Sequence, residues 1–282
     1  MSSRTGISVL IRTYNSEKTL PRLLAKLDLA SEDEVLVVDS GSEDGTCEVA
    51  RRFGANIVEA PLPFSYSKSL NAGFRHARNP LVHVLSSHVI PMVPDLLERT
   101  RRLALELPGN VVAVYGPAGI TGRDDMKQAS ALTVIIQSDN FSTYGGACGN
   151  ANALYRLHAW QKQPFDEGIR TDEDKAWARA ALQAGSRLAY APSIPVLNKS
   201  HYPLAYMFRK GQSDARAIKR ADASPMTLWQ LGGALKKMLF IKLRGETDWG
   251  NWIRYSAHIF GQFSGSRQPK DNTPRKDPHT RP

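Results

Sequence analysis

The sequence is poor in cysteine and has no long apolar run, and each shortage excludes a class of protein. Two cysteines, Cys47 and Cys148, in 282 residues cannot build a disulfide framework or a four-thiolate zinc site. Charged residues interrupt every apolar stretch before the roughly 18 to 20 residues that a spanning helix needs, so an integral membrane protein is not expected. Residues 1–30 lack the basic-then-apolar pattern of a secretory signal, which predicts a cytoplasmic protein. Glycine (21) and proline (17) are too few for a collagen-like or wholly disordered chain, and 41% hydrophobic residues suffice for a sizeable core.

Acidic residues are scarce in one region only. The net charge is +10, but residues 201–282 hold 15 Lys/Arg against 6 Asp/Glu, leaving residues 1–200 nearly balanced at +1. The basic character therefore belongs to the C-terminal third. No RNA- or DNA-binding motif accompanies it, so no nucleic-acid partner is expected.

What is present is an alternation of β-branched apolar runs with helical periodicity. Ile7–Arg12 and Val35–Asp39 read as strands, and Leu20, Leu23, Leu24 and Leu27 place a helix within Ser16–Leu29 between them. Helices over Thr46–Phe53, Ser67–Ala77, Asp95–Leu107 and Asp172–Ala184 alternate with strands at Ala55–Glu59, Leu81–Leu85, Val111–Tyr115 and Arg187–Ala191. This order predicts an α/β protein whose mostly parallel sheet is covered by helices on both faces. Ligands of such sheets bind at the carboxyl ends of the strands. Arg12–Asn15, Asp39–Asp44 and Ser86–His88 all fall there, so three distant segments are aimed at one crevice.

Taken together these segments resemble family-2 glycosyltransferases of the GT-A fold. The resemblance rests on Thr13-Tyr14-Asn15 after the first strand and VVDSGSEDGT (Val37–Thr46). It continues through PFSYSKSLNAG (Pro63–Gly73), LSSHVIP (Leu85–Pro91), GGACGNANALYR (Gly145–Arg156), EDKAWARAALQAG (Glu173–Gly185) and KSHYP (Lys199–Pro203). It covers residues 6–215 in consistent order, and the rhamnosyltransferase-like bacterial enzymes of surface polysaccharide synthesis look most similar.

The resemblance implies transfer of a sugar from a UDP- or dTDP-sugar to a hydroxyl of a glycan or lipid-linked acceptor, with inversion at the anomeric carbon. Thr13, Tyr14 and Asn15 would line the nucleotide pocket and Asp39 would accept a hydrogen bond from the base. A carboxylate accepts from an imide N–H but repels phosphate, which leaves the diphosphate side to Lys68 and Asn71. Asp174 maps onto the catalytic base, taking the acceptor's proton. Glu173 would orient or bind the acceptor, Asp172 would cap the helix, and Gly149 and Asn150 would lie between donor and acceptor.

The sequence departs from the family where an Asp usually holds the metal. Ser86-Ser87-His88 stands there, with Ser87 and His88 on the donor side. Three readings stay open. His88 and His201 could hold a divalent metal such as Mn or Mg; the leaving diphosphate could be neutralised without metal by imidazolium, Lys68 or arginine; or His88 could be structural. The same departure admits a catalytically degenerate domain that only binds a nucleotide or a partner.

The resulting organisation is a GT-A domain over residues 1–220, a helical extension over 221–263 and a disordered basic tail over 264–282. LWQLGGALKKMLFIKL (Leu228–Leu243), with Trp249, Trp252, Arg254 and Tyr255, suits either packing on the catalytic domain or peripheral contact with the inner membrane's cytoplasmic face. Trp177 lies at helical spacing from Ala180, Ala181 and Ala184 and is expected in the core.

Overall fold

The computed structural model describes residues 4–119, 133–137, 148–169 and 172–198, together with residues 208, 231, 232, 236, 253, 256, 257, 259, 260 and 262–264. In the first part of the chain β1 (Ile7–Thr13), β2 (Glu34–Asp39), β3 (Asn56–Glu59) and β4 (Leu81–Ser86) alternate with α1 (Leu20–Leu24), α2 (Thr46–Arg52) and α3 (Tyr66–His76). There follow β5 (Val89–Pro91), α4 (Leu96–Glu106), β6 (Val111–Tyr115), β7 (Ala118–Gly119) and β8 (Val134–Ile136). The last elements are β9 (Asn152–Arg156), α5 (Leu157–Lys162), α6 (Glu173–Gln183), β10 (Arg187–Tyr190) and β11 (Val196–Asn198).

Eight strands form one sheet in the order β3-β2-β1-β4-β9-β6-β10-β8, and β5-β11-β7 form a small second sheet. The pairs β3–β2, β2–β1, β1–β4 and β6–β10 are parallel, while β9 runs antiparallel between β4 and β6 and β8 antiparallel beside β10. The α/β architecture is therefore as expected, with β9 as an inserted strand. The sequence β1-α1-β2-α2-β3 places every loop after a parallel strand at one end of the sheet.

Both faces of the sheet are buried, which explains why its central strands are continuously apolar rather than alternating. Ile7, Val9 and Ile11 of β1 pack with Leu20, Leu23, Val49 and Leu96 on one face. Leu10 faces the other side with Leu70, Phe74, Trp160 and Trp177. Trp177 is a core residue, as its spacing indicates. Two helices have sequence-specific boundaries. Pro21 lies in the first turn of α1, which ends at Leu24, so the helix is far shorter than Ser16–Leu29. Ser65 caps α3 by accepting from the Lys68 N–H at 3.3 Å.

Backbone contacts separate a unit Met1–Ser200 from a unit His201–Pro282. Most of the helical extension and the whole of 265–282 lie outside the described residues, as do Gly145, Gly146, Lys199 and His201. Among the described residues no helix is long and apolar enough to cross a membrane.

Candidate active site

The strand-end crevice is organised first by its carboxylates. At the end of β2, Asp39 is buried and accepts four hydrogen bonds. Gly41 N–H (3.1 Å) and Ser42 N–H (2.8 Å) bond Oδ2, while Ser42 Oγ (2.5 Å) and Thr13 Oγ1 (3.0 Å) bond Oδ1. A carboxylate has about four acceptor positions, so Asp39 here shapes the loop that a nucleotide would meet. Asn15 joins the same loop from β1. Its N–H donates to Ser42 Oγ at 2.9 Å, its Oδ1 accepts from Glu43 N–H at 2.9 Å, and its φ of 45° is one that Asn tolerates better than most residues. Tyr14, between them, is 47% exposed.

The strand end of β4 is tied in by Ser87, whose buried hydroxyl lies 2.8 Å from that of Ser16. His88 follows in the turn to β5 and is half-buried. Burial, and then the positive charge of Arg12, lower its pKa to about 4. At neutral pH, with no anion beside it, the ring is uncharged.

Of the expected metal pair, His88 lies among the described residues and His201 does not. Among the described residues no group of three or more His, Cys, Asp or Glu side chains comes together around a cation position. His88 sits within the field of a guanidinium, and Ser87 Oγ is engaged with Ser16. No step is derived through a metal.

The two residues expected at the diphosphate separate. Lys68 is half-buried in the first turn of α3. Asn71 is instead 2% exposed, with its amide committed internally. Nδ2 donates to Phe165 O at 2.8 Å and Glu167 Oε1 at 3.0 Å, and Oδ1 accepts from Trp160 Nε1 at 2.9 Å and Phe165 N–H at 3.0 Å. That capacity is spent, so the expectation of a diphosphate contact is corrected to one of holding α3 against α5 and the segment after it.

The acidic triplet sits at the start of α6, reached from the other half of the sheet. Asp172 occupies the N-cap position in a left-handed conformation (φ 60°), but its side chain does not cap the helix. It accepts instead from Lys175 Nζ at 2.7 Å. Asp174 Oδ2 accepts from Asn150 N–H at 3.1 Å and its Oδ1 from Lys175 N–H at 2.8 Å. Burial, then the neighbouring Glu173 charge, raise the Asp174 pKa to about 6 despite those bonds. A carboxylate so tuned is ionised at pH 7 and more basic than an ordinary aspartate, as a general base requires.

Asn150 is the hub of this end. Besides its bond to Asp174 it donates through Nδ2 to Glu173 Oε1 at 3.4 Å and accepts from Tyr155 Oη at 2.7 Å. Both Asn150 and Glu173 are buried, so they support Asp174 from below, and direct acceptor contact by Glu173 is not what this placement favours. Gly149 brings backbone beside the base, since a Cβ on it would lie 3.9 Å from Asp174 Oδ2. Cys148 is buried and its thiol is pushed up to about 12, first by burial, so it is inert.

The strand-end segment Arg12–Asn15 also brings a cation to the crevice, to which the sequence assigns no specific part. Arg12, paired in register with Val38 and Ser86, lies with its guanidinium carbon 4.8 Å from the Tyr66 ring centre and its Nη1 3.9 Å from Glu173 Oε1. A charge near the end of an otherwise apolar strand was the available signal.

This fold agrees with comparison to known proteins. The sequence profile of glycosyl transferase family 2 matches residues 8–164, and the chain belongs to that family. An uncharacterized glycosyltransferase of Mycobacterium tuberculosis is 36% identical over 82 residues, covering 29% of this chain. The chain spans only 36% of that relative's length. The undecaprenyl-phosphate 4-deoxy-4-formamido-L-arabinose transferase of Klebsiella pneumoniae is 32% identical over 203 residues, covering 68% of this chain and 59% of its own. Among solved structures, glucosyl-3-phosphoglycerate synthase from M. tuberculosis, in complex with Mn2+, UDP-glucose and phosphoglyceric acid, shares the fold. It has a TM-score of 0.55 and 17% identity, and the match covers 79% of this chain and 83% of the synthase.

Proposed function

We propose that the protein is an inverting glycosyltransferase that moves a sugar from a UDP- or dTDP-sugar to a hydroxyl of a glycan or lipid-linked acceptor. The observation that carries this reading is Asp174, a carboxylate with a pKa near 6 held at the crevice by Asn150 and its own helix start. In the reaction, the acceptor oxygen attacks the anomeric carbon as its proton passes to Asp174. The bond from that carbon to the diphosphate breaks with its electron pair on the leaving oxygen, and the new glycosidic bond forms on the opposite face. One carboxylate suffices, because the leaving group departs as an anion and needs no general acid.

Thr13, Tyr14, Asn15 and the Asp39 loop receive the nucleotide, and Lys68 the diphosphate. Use of a UDP-sugar by the synthase of the same fold supports the donor class, and the Klebsiella relative supports a lipid-linked acceptor. With that acceptor, and with the basic C-terminal third, the protein works at the cytoplasmic face of the inner membrane in surface polysaccharide synthesis.

A panel of UDP-, dTDP- and GDP-sugars, assayed for nucleotide release with Mn, with Mg and with EDTA, tests class and cofactor together. Turnover of a UDP- or dTDP-sugar supports the reading. Loss of that turnover in EDTA would return the metal to His88 and His201, and failure to bind any nucleotide sugar would overturn the reading.

A further inference from the structure

Glu173 and Asp174 are adjacent carboxylates in one partly dry site, and two such groups do not readily stay ionised together. When one of them takes up a proton at lower pH, the partners on each side decide which carboxylate carries it. Asp174 has two backbone N–H donors. Among the described residues Glu173 has the Asn150 amide, at 3.4 Å, and Arg12.

Arg12 is unusually placed for a surface cation. Its side chain is 18% exposed, and its Nη1 is buried with no hydrogen-bond partner. The carboxylate it meets is Glu173, at 3.9 Å, a distance at which the charges interact without a formed hydrogen bond. The Tyr66 ring at the start of α3 holds the guanidinium from the other side.

Resting on the reading of Asp174 as the base, we propose that Arg12 is a positioning residue: it keeps the negative charge of the pair on Glu173 and so leaves Asp174 as the carboxylate that takes up the proton. Among the other described groups facing the pair, Cys148, Tyr115 and Tyr155 are held neutral chiefly by burial, and Lys175, paired with Asp172, acts on Asp174, whose pKa its charge lowers. His88, beside Arg12, is uncharged at neutral pH. Through Glu173, a residue at the nucleotide end of β1 thus sets the basicity of a residue on α6.

The test is a carboxyl 13C NMR titration of the full chain labelled at Asp Cγ and Glu Cδ, with Asp174→Asn and Glu173→Gln spectra assigning the two signals. In the unsubstituted protein Asp174 takes the first proton near pH 6 and Glu173 stays ionised through that step. Arg12→Gln moves the first proton to Glu173 and lowers the Asp174 midpoint by about one pH unit, and Arg12→Lys restores the original order. In Glu173→Gln the Asp174 midpoint falls, and adding Arg12→Gln moves it no further. An Asp174 midpoint that stays near pH 6 in Arg12→Gln overturns the proposal. Should Arg12→Gln not fold, an unmoved Asp174 midpoint in Glu173→Gln does the same. The titration needs no turnover, so transfer surviving in Asp174→Asn would remove the base and leave the proton's location measured.

Discussion

Asn71 shows how a single amide can be read correctly as important and wrongly as a ligand group. It lies in a helix beside Lys68, and its position suggests the diphosphate. The structure buries it and gives it four internal partners. Asn71→Ala leaves the Trp160 indole N–H and the Phe165 N–H without their acceptor, at about 1–3 kcal/mol for each buried donor. Urea unfolding should therefore show a loss of about 2–5 kcal/mol, whereas donor affinity measured under folding conditions changes little. A stable variant with weakened donor binding would mean that the amide reaches the ligand after all. Arg12 is the opposite case: the sequence places it at the crevice without a specific part, and the packing of Tyr66 and Glu173 around it supplies one.

At the scale of elements, what was legible followed from repetition. β1, β2 and β4 are apolar on both faces, and their loops carry small polar residues, so strands and crevice could both be placed from the chain alone. β9 could not. Asn152 begins it and looks like the end of a Gly-rich loop, yet its side chain is satisfied by His83 Nε2, Pro117 O and Ile194 O inside the sheet. Partners from three distant segments leave no local periodicity to detect. α1 occupies only part of Ser16–Leu29, because the leucine spacing continues past Leu24 while the hydrogen bonds tighten, as Leu27 N–H to Leu24 O shows.

Helix α3 is set by how closely it approaches the sheet. A Cβ on Gly73 would come within 2.4 Å of Leu10 Cδ1 and 2.8 Å of Val38 Cγ2. Alanine there gains about 1 kcal/mol of helix propensity but incurs an overpacking cost of about 1–3 kcal/mol. Gly73→Ala is expected to lower the thermal midpoint, and because α3 carries Lys68 and Tyr66, to weaken donor binding as well. A midpoint equal to or above that of the unsubstituted protein would show that α3 has room to shift.

Across the whole molecule, the sheet order brings together groups that are far apart in the chain. Parallel crossovers deliver Thr13, Asn15 and Asp39 to one end of the sheet. The inserted antiparallel β9 brings Asn150, just before it, to the start of α6. The Asp39 loop lies within residues 8–164, which match the family, and Asp174 lies just beyond them. Arg12 with Glu173 is the direct link between them. The cluster of Asp residues could be found by motif, but its tuning could not, since burial and the Glu173 charge arise only once the chain is folded.

The central claim is that Asp174 accepts the proton in glycosyl transfer, and the direct measurement compares Asp174→Asn with the unsubstituted protein across pH. Transfer by the unsubstituted protein should rise with pH through about 6, as Asp174 loses its proton, and then level off. Asp174→Asn should lose that rise and about 100- to 10,000-fold in rate while keeping donor affinity. Transfer that survives the substitution with the same pH dependence would contradict the account.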